Sequence, residues 1–233
     1  MQQNYKKIII FTHQFIKYMS KREQNIDVYC LNTKQSLSVE FGTSLSELLQ
    51  QLQFEQPYPI LAASVNNSYK DLSYAIYKPI NVEFFDIRHF EGYRVYQRTL
   101  SFVMQMATLQ LFPDDKLRIR HSLGSGFYAE FDSKRLLSEE QIEALKSKMS
   151  EIVKSALLIT RSKRPTQQVV QAYERYDFDD RIELLETRPH LYSTVNYLGD
   201  MPGYFYGALA PSSGYVSHFD VVPYYNGFYV AIP

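Results

Sequence analysis

The sequence predicts an α+β protein made of two modules that meet near residue 88. Three observations carry this. Alternating apolar and polar runs of strand length recur along the chain. Two Ser-x-x-Glu/Gln signals each precede an apolar run at helical spacing. Clusters of Gly, Asn and Pro separate these segments. With 233 residues, the chain can bury one large core or two modest ones.

Residues 1–25 read as an N-terminal extension, irregular or briefly helical. Its apolar run, Ile8 to Phe11, is far shorter than the roughly 20 apolar residues of a membrane span. It also lacks the longer apolar core and cleavage site of a signal peptide. No membrane partner is expected.

The first module covers 26–87. Ile26 to Cys30 and Leu37 to Phe41 alternate and flank a turn at Lys34-Gln35-Ser36, so they predict a hairpin. Ser44 and Glu47 form a capping box, and Leu45, Leu48, Leu49 and Leu52 follow at helical spacing. Pro57 and Pro59 close that helix. Ile60 to Val65 reads as a strand, Asn66-Asn67 as a turn, and Val82 to Ile87 as the last strand. Strand–strand–helix–strand–strand in about 60 residues predicts a β-grasp, a small sheet curled over one helix. Gly42, Thr43, Leu45, Val65, Asn66, Asp71 and Leu72, in this order, resemble the TGS domain of threonyl-tRNA synthetases, certain GTPases and stringent-response enzymes. The resemblance implies binding of RNA or a small regulatory ligand, and no catalytic residue.

The second module covers 88–233. Leu100, Val103, Met104, Ala107 and Leu111 predict a helix over 96–111. Leu117 to Arg120 and Phe127 to Phe131 read as strands around a Gly124-Ser125-Gly126 turn. Ser138 and Gln141 cap a helix that Ile142, Leu145, Met149, Ile152 and Leu157 extend. The basic stretch from Lys154 to Arg164 reads as its solvated end, with a secondary role on RNA phosphates. A third helix follows Thr166, and the Tyr- and Gly-rich C-terminal segments read as strands. Leu111-Phe112-Pro113, then Gly126-Phe127-Tyr128 with Phe131, then Ser138 to Glu143 with Met149, resemble the editing domain that follows TGS in threonyl-tRNA synthetases.

That resemblance implies a hydrolytic site for serine mischarged onto threonine tRNA, built from HxxxH on the first helix and CxxxH near the end. A four-residue step puts both helix side chains on one face. Here Arg98 and Phe102 stand at the two helix histidines, Phe205 at the cysteine and Leu209 at the last histidine. Phenylalanine and leucine neither ligate metal nor transfer protons. The site is therefore expected to be degenerate, with no catalytic residue. Arg98, Thr99, Tyr206 and His218 remain as candidate ligand contacts, because a guanidinium there could hold a phosphate or carboxylate.

Composition narrows the classes further. Lys plus Arg and Asp plus Glu are 25 each, so a bulk polyanion binder is disfavoured. Cys30 is the single cysteine, which excludes internal disulfides and multi-cysteine zinc sites and points to the cytoplasm. The histidines at 13, 89, 121, 190 and 218 show no metal-ligand spacing, so no metal is expected. No phosphate loop or GxSxG elbow is present.

The segment Arg98 to Val103, with Gly214-Tyr215-Val216 and Phe219 to Phe228, also resembles the N-terminal half of bacterial uridine kinase-type nucleoside kinases. This implies a regulatory or ligand-binding module ahead of a kinase domain beyond Pro233. ATP and magnesium would then belong to that domain, and this chain needs no cofactor of its own. The alternative is a tRNA-editing deacylase with an altered site. An RNA end, a nucleoside, an amino acid and a second copy of the chain are the partners this reading allows.

Overall fold

The computed structural model describes residues 25–54, 56–187 and 190–233. The extension over residues 1–25, with His13, lies outside the described residues except for Asn25. The protein is a mixed α and β structure. It divides into two compact units. The first is the described part of Met1–Glu55 with Ser64–Ser68 and Ser73–Glu83; the second is Gln56–Ala63, Tyr69–Leu72 and Phe84–Pro233.

The opening hairpin pairs β1 (Asn25–Cys30) with β2 (Gln35–Glu40), antiparallel. Ile26, Val28 and Cys30 point inward while Asp27 and Tyr29 face out, as a period of two requires. The α1 helix (Leu45–Leu52) begins at the expected capping box. The Glu47 amide donates to Ser44 Oγ at 3.2 Å, and the Ser44 amide donates to Glu47 Oε2 at 2.7 Å. Those bonds from Ser44 lower the pKa of the Glu47 carboxyl. The helix stops at Gln53, which is left-handed, before either proline is reached.

Next come β3 (Ala62–Val65), β4 (Ser68–Lys70) and β5 (Ile80–Phe85). The sheet order is β2-β1-β5-β3-β4, with β5 parallel to β1. Asn66 and Asn67 both hold positive φ, 48° and 63°, as a two-residue hairpin turn requires. The short strand β4 was not expected, because three residues carry too little alternation to read. The last strand also begins two residues earlier and ends two earlier than its pattern predicted.

In the second unit, α2 (Phe90–Leu111) runs for 22 residues and starts six before the expected Tyr96. His89 caps it: Nδ1 accepts from the Glu91 amide at 3.1 Å, and the ring stacks on Phe85 at 3.8 Å. The strands β6 (Leu117–Leu123) and β7 (Gly126–Phe131) follow, then α3 (Glu139–Lys154) with its capping box intact. The helix ends three residues short of Leu157, where Ala156 turns left-handed at φ 47°.

Beyond it lies a correction. The stretch expected as a solvated helix end is instead a strand, β8 (Ile159–Pro165), paired antiparallel with β9 (Tyr192–Leu198) and followed by β10 (Met201–Gly203). Two helices join β8 to β9: the expected α4 (Thr166–Glu174) and an unexpected α5 (Asp179–Glu186). The α5 helix has no side-chain cap bond, so the usual start signal is missing. The strands β11 (Asp220–Tyr224) and β12 (Gly227–Ala231) complete a sheet of order β11-β12-β7-β6. The core of this unit joins Leu100, Phe102 and Met104 of α2 with Leu145 and Met149 of α3, and with Phe127, Phe131 and Phe228 of the sheet.

Candidate functional site

Of the four positions that the resemblance singles out, Arg98 and Phe102 lie on α2, and Phe205 and Leu209 lie in the segment 203–210 that α2 holds through Ala208, Phe205 and Ala210. Arg98 and Phe102 lie one turn apart on α2 and share a face. The Phe102 side chain is fully buried, and its ring sits 4.8 Å from the Phe205 ring in a tilted contact. Leu209 is also buried. Gly203 sits against this pair, and a Cβ there would lie 2.6 Å from the Phe102 ring. Aromatic carbon fills this part of the site.

Arg98 is held by its own chain. Its Nε donates to the Ala208 carbonyl at 3.0 Å, and its Nη2 donates to Glu91 Oε1 at 2.6 Å. Glu91 is buried and begins the same helix two turns earlier. A buried carboxylate must be paired, and the guanidinium does this while anchoring the loop. Gly207 makes the close approach feasible. Its φ is +106°, and a Cβ there would lie 2.8 Å from Arg98 Nη1.

The other candidate residues separate. Thr99 is fully buried; its hydroxyl donates to the Val95 carbonyl at 2.8 Å and accepts from the Ala210 amide at 3.0 Å. It thus clamps the loop to the helix. Tyr206 is 69% exposed, and its hydroxyl accepts from Tyr204 at 2.8 Å. His218 is exposed, with Nδ1 2.9 Å from Ser217 Oγ. Its backbone is bound at both ends by Tyr96. The Tyr96 hydroxyl donates to the His218 carbonyl at 2.6 Å and accepts from its amide at 2.9 Å. Burial pushes the Tyr96 phenol up to about 12, with the backbone bond as the smaller, opposing cause. The Ser101 hydroxyl donates to the Gln97 carbonyl at 2.8 Å.

The side chains at positions 98, 102, 205 and 209 are one guanidinium and three hydrocarbons, and none of these four accepts a proton from water. The Arg98 guanidinium is a donor without an acceptor lone pair, the Thr99 and Ser101 hydroxyls donate to backbone carbonyls, and Phe102, Phe205 and Leu209 are hydrocarbon. Among the described residues, no group of three or more His, Cys, Asp and Glu could hold a metal ion. None of their helices is long and apolar enough to cross a membrane. Sequence reasoning missed Glu91 because the helix was expected to start at Tyr96. The seven-residue step from Glu91 to Arg98 was the available signal.

A mixed α and β protein with an arginine-anchored, aromatic-filled site is the class these observations define. No protein-family model matches the chain. It is similar to curated threonine–tRNA ligases. That of Clostridium kluyveri is 26% identical over 186 residues, covering 79% of this chain and 29% of the ligase. That of Fusobacterium nucleatum is 29% identical over 161 residues, 68% of this chain and 26% of the ligase. That of Acetivibrio thermocellus is 26% identical over 183 residues, 78% and 29% respectively. The chain thus spans under a third of the length of these relatives.

Proposed function

We propose that this chain corresponds to the N-terminal region of a threonyl-tRNA synthetase, with a TGS-like β-grasp over 26–87 and an editing-type domain with an altered site over 88–233. The similarity to threonine–tRNA ligases over two thirds or more of the chain supports the relationship. The strand order β2-β1-β5-β3-β4 around one helix supports the β-grasp reading.

The altered site binds or positions and does not hydrolyse. One observation carries this: Arg98 is paired to Glu91 inside the chain, and Phe102 packs on Phe205 where the editing pattern has a histidine and a cysteine. An RNA end, a nucleoside or an amino acid are the ligand classes for such a module, and no cofactor is required. The link to a uridine kinase-type protein rests on the sequence resemblance alone. The similar proteins named above are ligases and add no weight to it, nor to ATP or magnesium as cofactors. A cytoplasmic location and self-association are part of the same proposal.

The test is deacylation of seryl-tRNA by the purified chain. The expected result is no acceleration over the uncatalysed rate. Turnover that disappears in Arg98→Ala would overturn the non-hydrolytic reading. A variant carrying Arg98→His, Phe102→His, Phe205→Cys and Leu209→His asks whether the scaffold still accepts the ester.

A further inference from the structure

A second concavity lies in the same unit, away from the 203–210 segment. It holds about 980 Å³ between α4 and the paired strands β8 and β9. Gln168, Gln171 and Arg175 line one wall, at steps of three and four residues along one helical face. The opposite stripe, Val169 and Tyr173, is buried and holds the helix in place. Arg164 and Tyr197 line the other wall, and Tyr176 lies at the junction. The register pairs Thr160 with Tyr197, which places both on one sheet face; alternation puts Arg164 on that face too.

The two arginines differ from most others in the unit. Arg88, Arg98, Arg118, Arg120 and Arg135 each have a carboxylate within 2.6–2.8 Å. Neither Arg164 nor Arg175 forms a salt bridge with a described residue. Arg164 is nonetheless positioned. Its Nε donates to Ser162 Oγ at 3.2 Å, and its guanidinium carbon lies 5.7 Å from the Tyr197 ring centre. The Tyr176 ring is stacked on Phe178 at 5.8 Å. Asp200 is the one carboxylate among the described residues lining the groove.

We propose that this groove binds a nucleoside monophosphate unit. Arg164 and Arg175 take the phosphate, the phenol faces of Tyr176 and Tyr197 take the base, and Gln168 and Gln171 meet its polar edge. Asp200 is placed to accept from ribose hydroxyls. A free mononucleotide and the end of an RNA strand present this same chemistry. The inference is independent of the editing-type reading, since none of the substituted site positions lines this groove.

The experiment titrates the full chain by calorimetry with AMP, UMP, the matching nucleosides, inorganic phosphate and a single-stranded RNA hexamer. Mononucleotides are expected to bind at least about tenfold more tightly than nucleosides or inorganic phosphate, since each charge-assisted contact contributes on that scale. The Arg164→Gln/Arg175→Gln double variant should bind AMP and UMP at least about tenfold more weakly with an unchanged melting temperature. A hexamer that binds more tightly than the mononucleotides assigns the RNA end; equal or weaker binding assigns the free nucleotide. The proposal fails if no phosphate-bearing nucleotide saturates the chain at millimolar concentration. It fails equally if inorganic phosphate matches AMP, or if the double variant binds like the parent. Deacylation does not read this groove, so the two ideas fail separately.

Discussion

The 203–210 segment and the groove beside β8 are both lined by arginine and tyrosine, but they dispose of charge differently. Arg98 neutralises the buried Glu91 and ties down a backbone carbonyl. Arg164 and Arg175 rest on a hydroxyl, an aromatic ring or solvent, with no carboxylate from a described residue. The difference follows from burial. A buried carboxylate needs a cation, so the chain supplies one and that cation is no longer available to a ligand. An open groove makes no such demand, and its cations stay available.

The largest expected effect attacks the filled site. Phe102→Ala removes a fully buried ring that touches Phe205 and Gly203, and should cost about 3–5 kcal/mol in urea unfolding. A cost near zero would mean that the aromatic filling is loose and the site can open. Next is Glu91→Ala, which takes the carboxylate away from Arg98 and leaves its bond to the Ala208 carbonyl at 3.0 Å. A loss of about 2 kcal/mol is expected, because Arg98 keeps some solvent contact. Gly207→Ala should cost about 1–2 kcal/mol, through a positive φ and a side chain pressed on the guanidinium.

A smaller effect comes from the buried phenols. The folded state raises Tyr96 above its ordinary value of 10.0, to about 12. Tyr173, under α4, is raised to about 12 as well, again mainly by burial. Their neutral forms are therefore favoured in the fold. The associated stability is present below pH 10 and is lost as pH rises through about 12. Denaturation midpoints measured across that window should fall, and Tyr96→Phe should shallow the slope while leaving the part due to Tyr173. The smallest effect is on the groove: Arg164→Gln with Arg175→Gln should change stability by no more than about 0.5 kcal/mol. A larger loss would mean that these arginines are structural, which would erase the contrast between the two regions.

How much of this was legible depends on the length scale of each signal. Both capping boxes read correctly because cap and partner are three residues apart, and the helices start where Ser44 and Ser138 put them. The β1–β2 hairpin was legible because β1 alternates strictly, but its turn lies earlier than expected: Gln35 and Ser36 pair with Cys30 and Tyr29 inside the ladder, and β2 ends at Glu40 before Phe41. The start of α2 did not, since its cap is a histidine with one bond and a ring stacked on Phe85. The strand β8 was hidden because its residues are mostly polar or charged and only partly covered, so no apolar alternation marks it. The loop clamp from Thr99 to Ala210 joins residues 111 apart, a pairing no local pattern encodes.

By itself the sequence determined the mixed α and β character, both capped helices, and the residue types at 98, 102, 205 and 209, one arginine and three hydrocarbons. These are statements about local propensity and residue chemistry, and a string of residues contains them. The partner of Arg98, the packing of Phe102 on Phe205, and the meeting of α4 with β8 and β9 were decided only by the tertiary structure. Each depends on bringing distant segments within a few ångströms, where burial sets which charges must be paired and which are left for something else to bind.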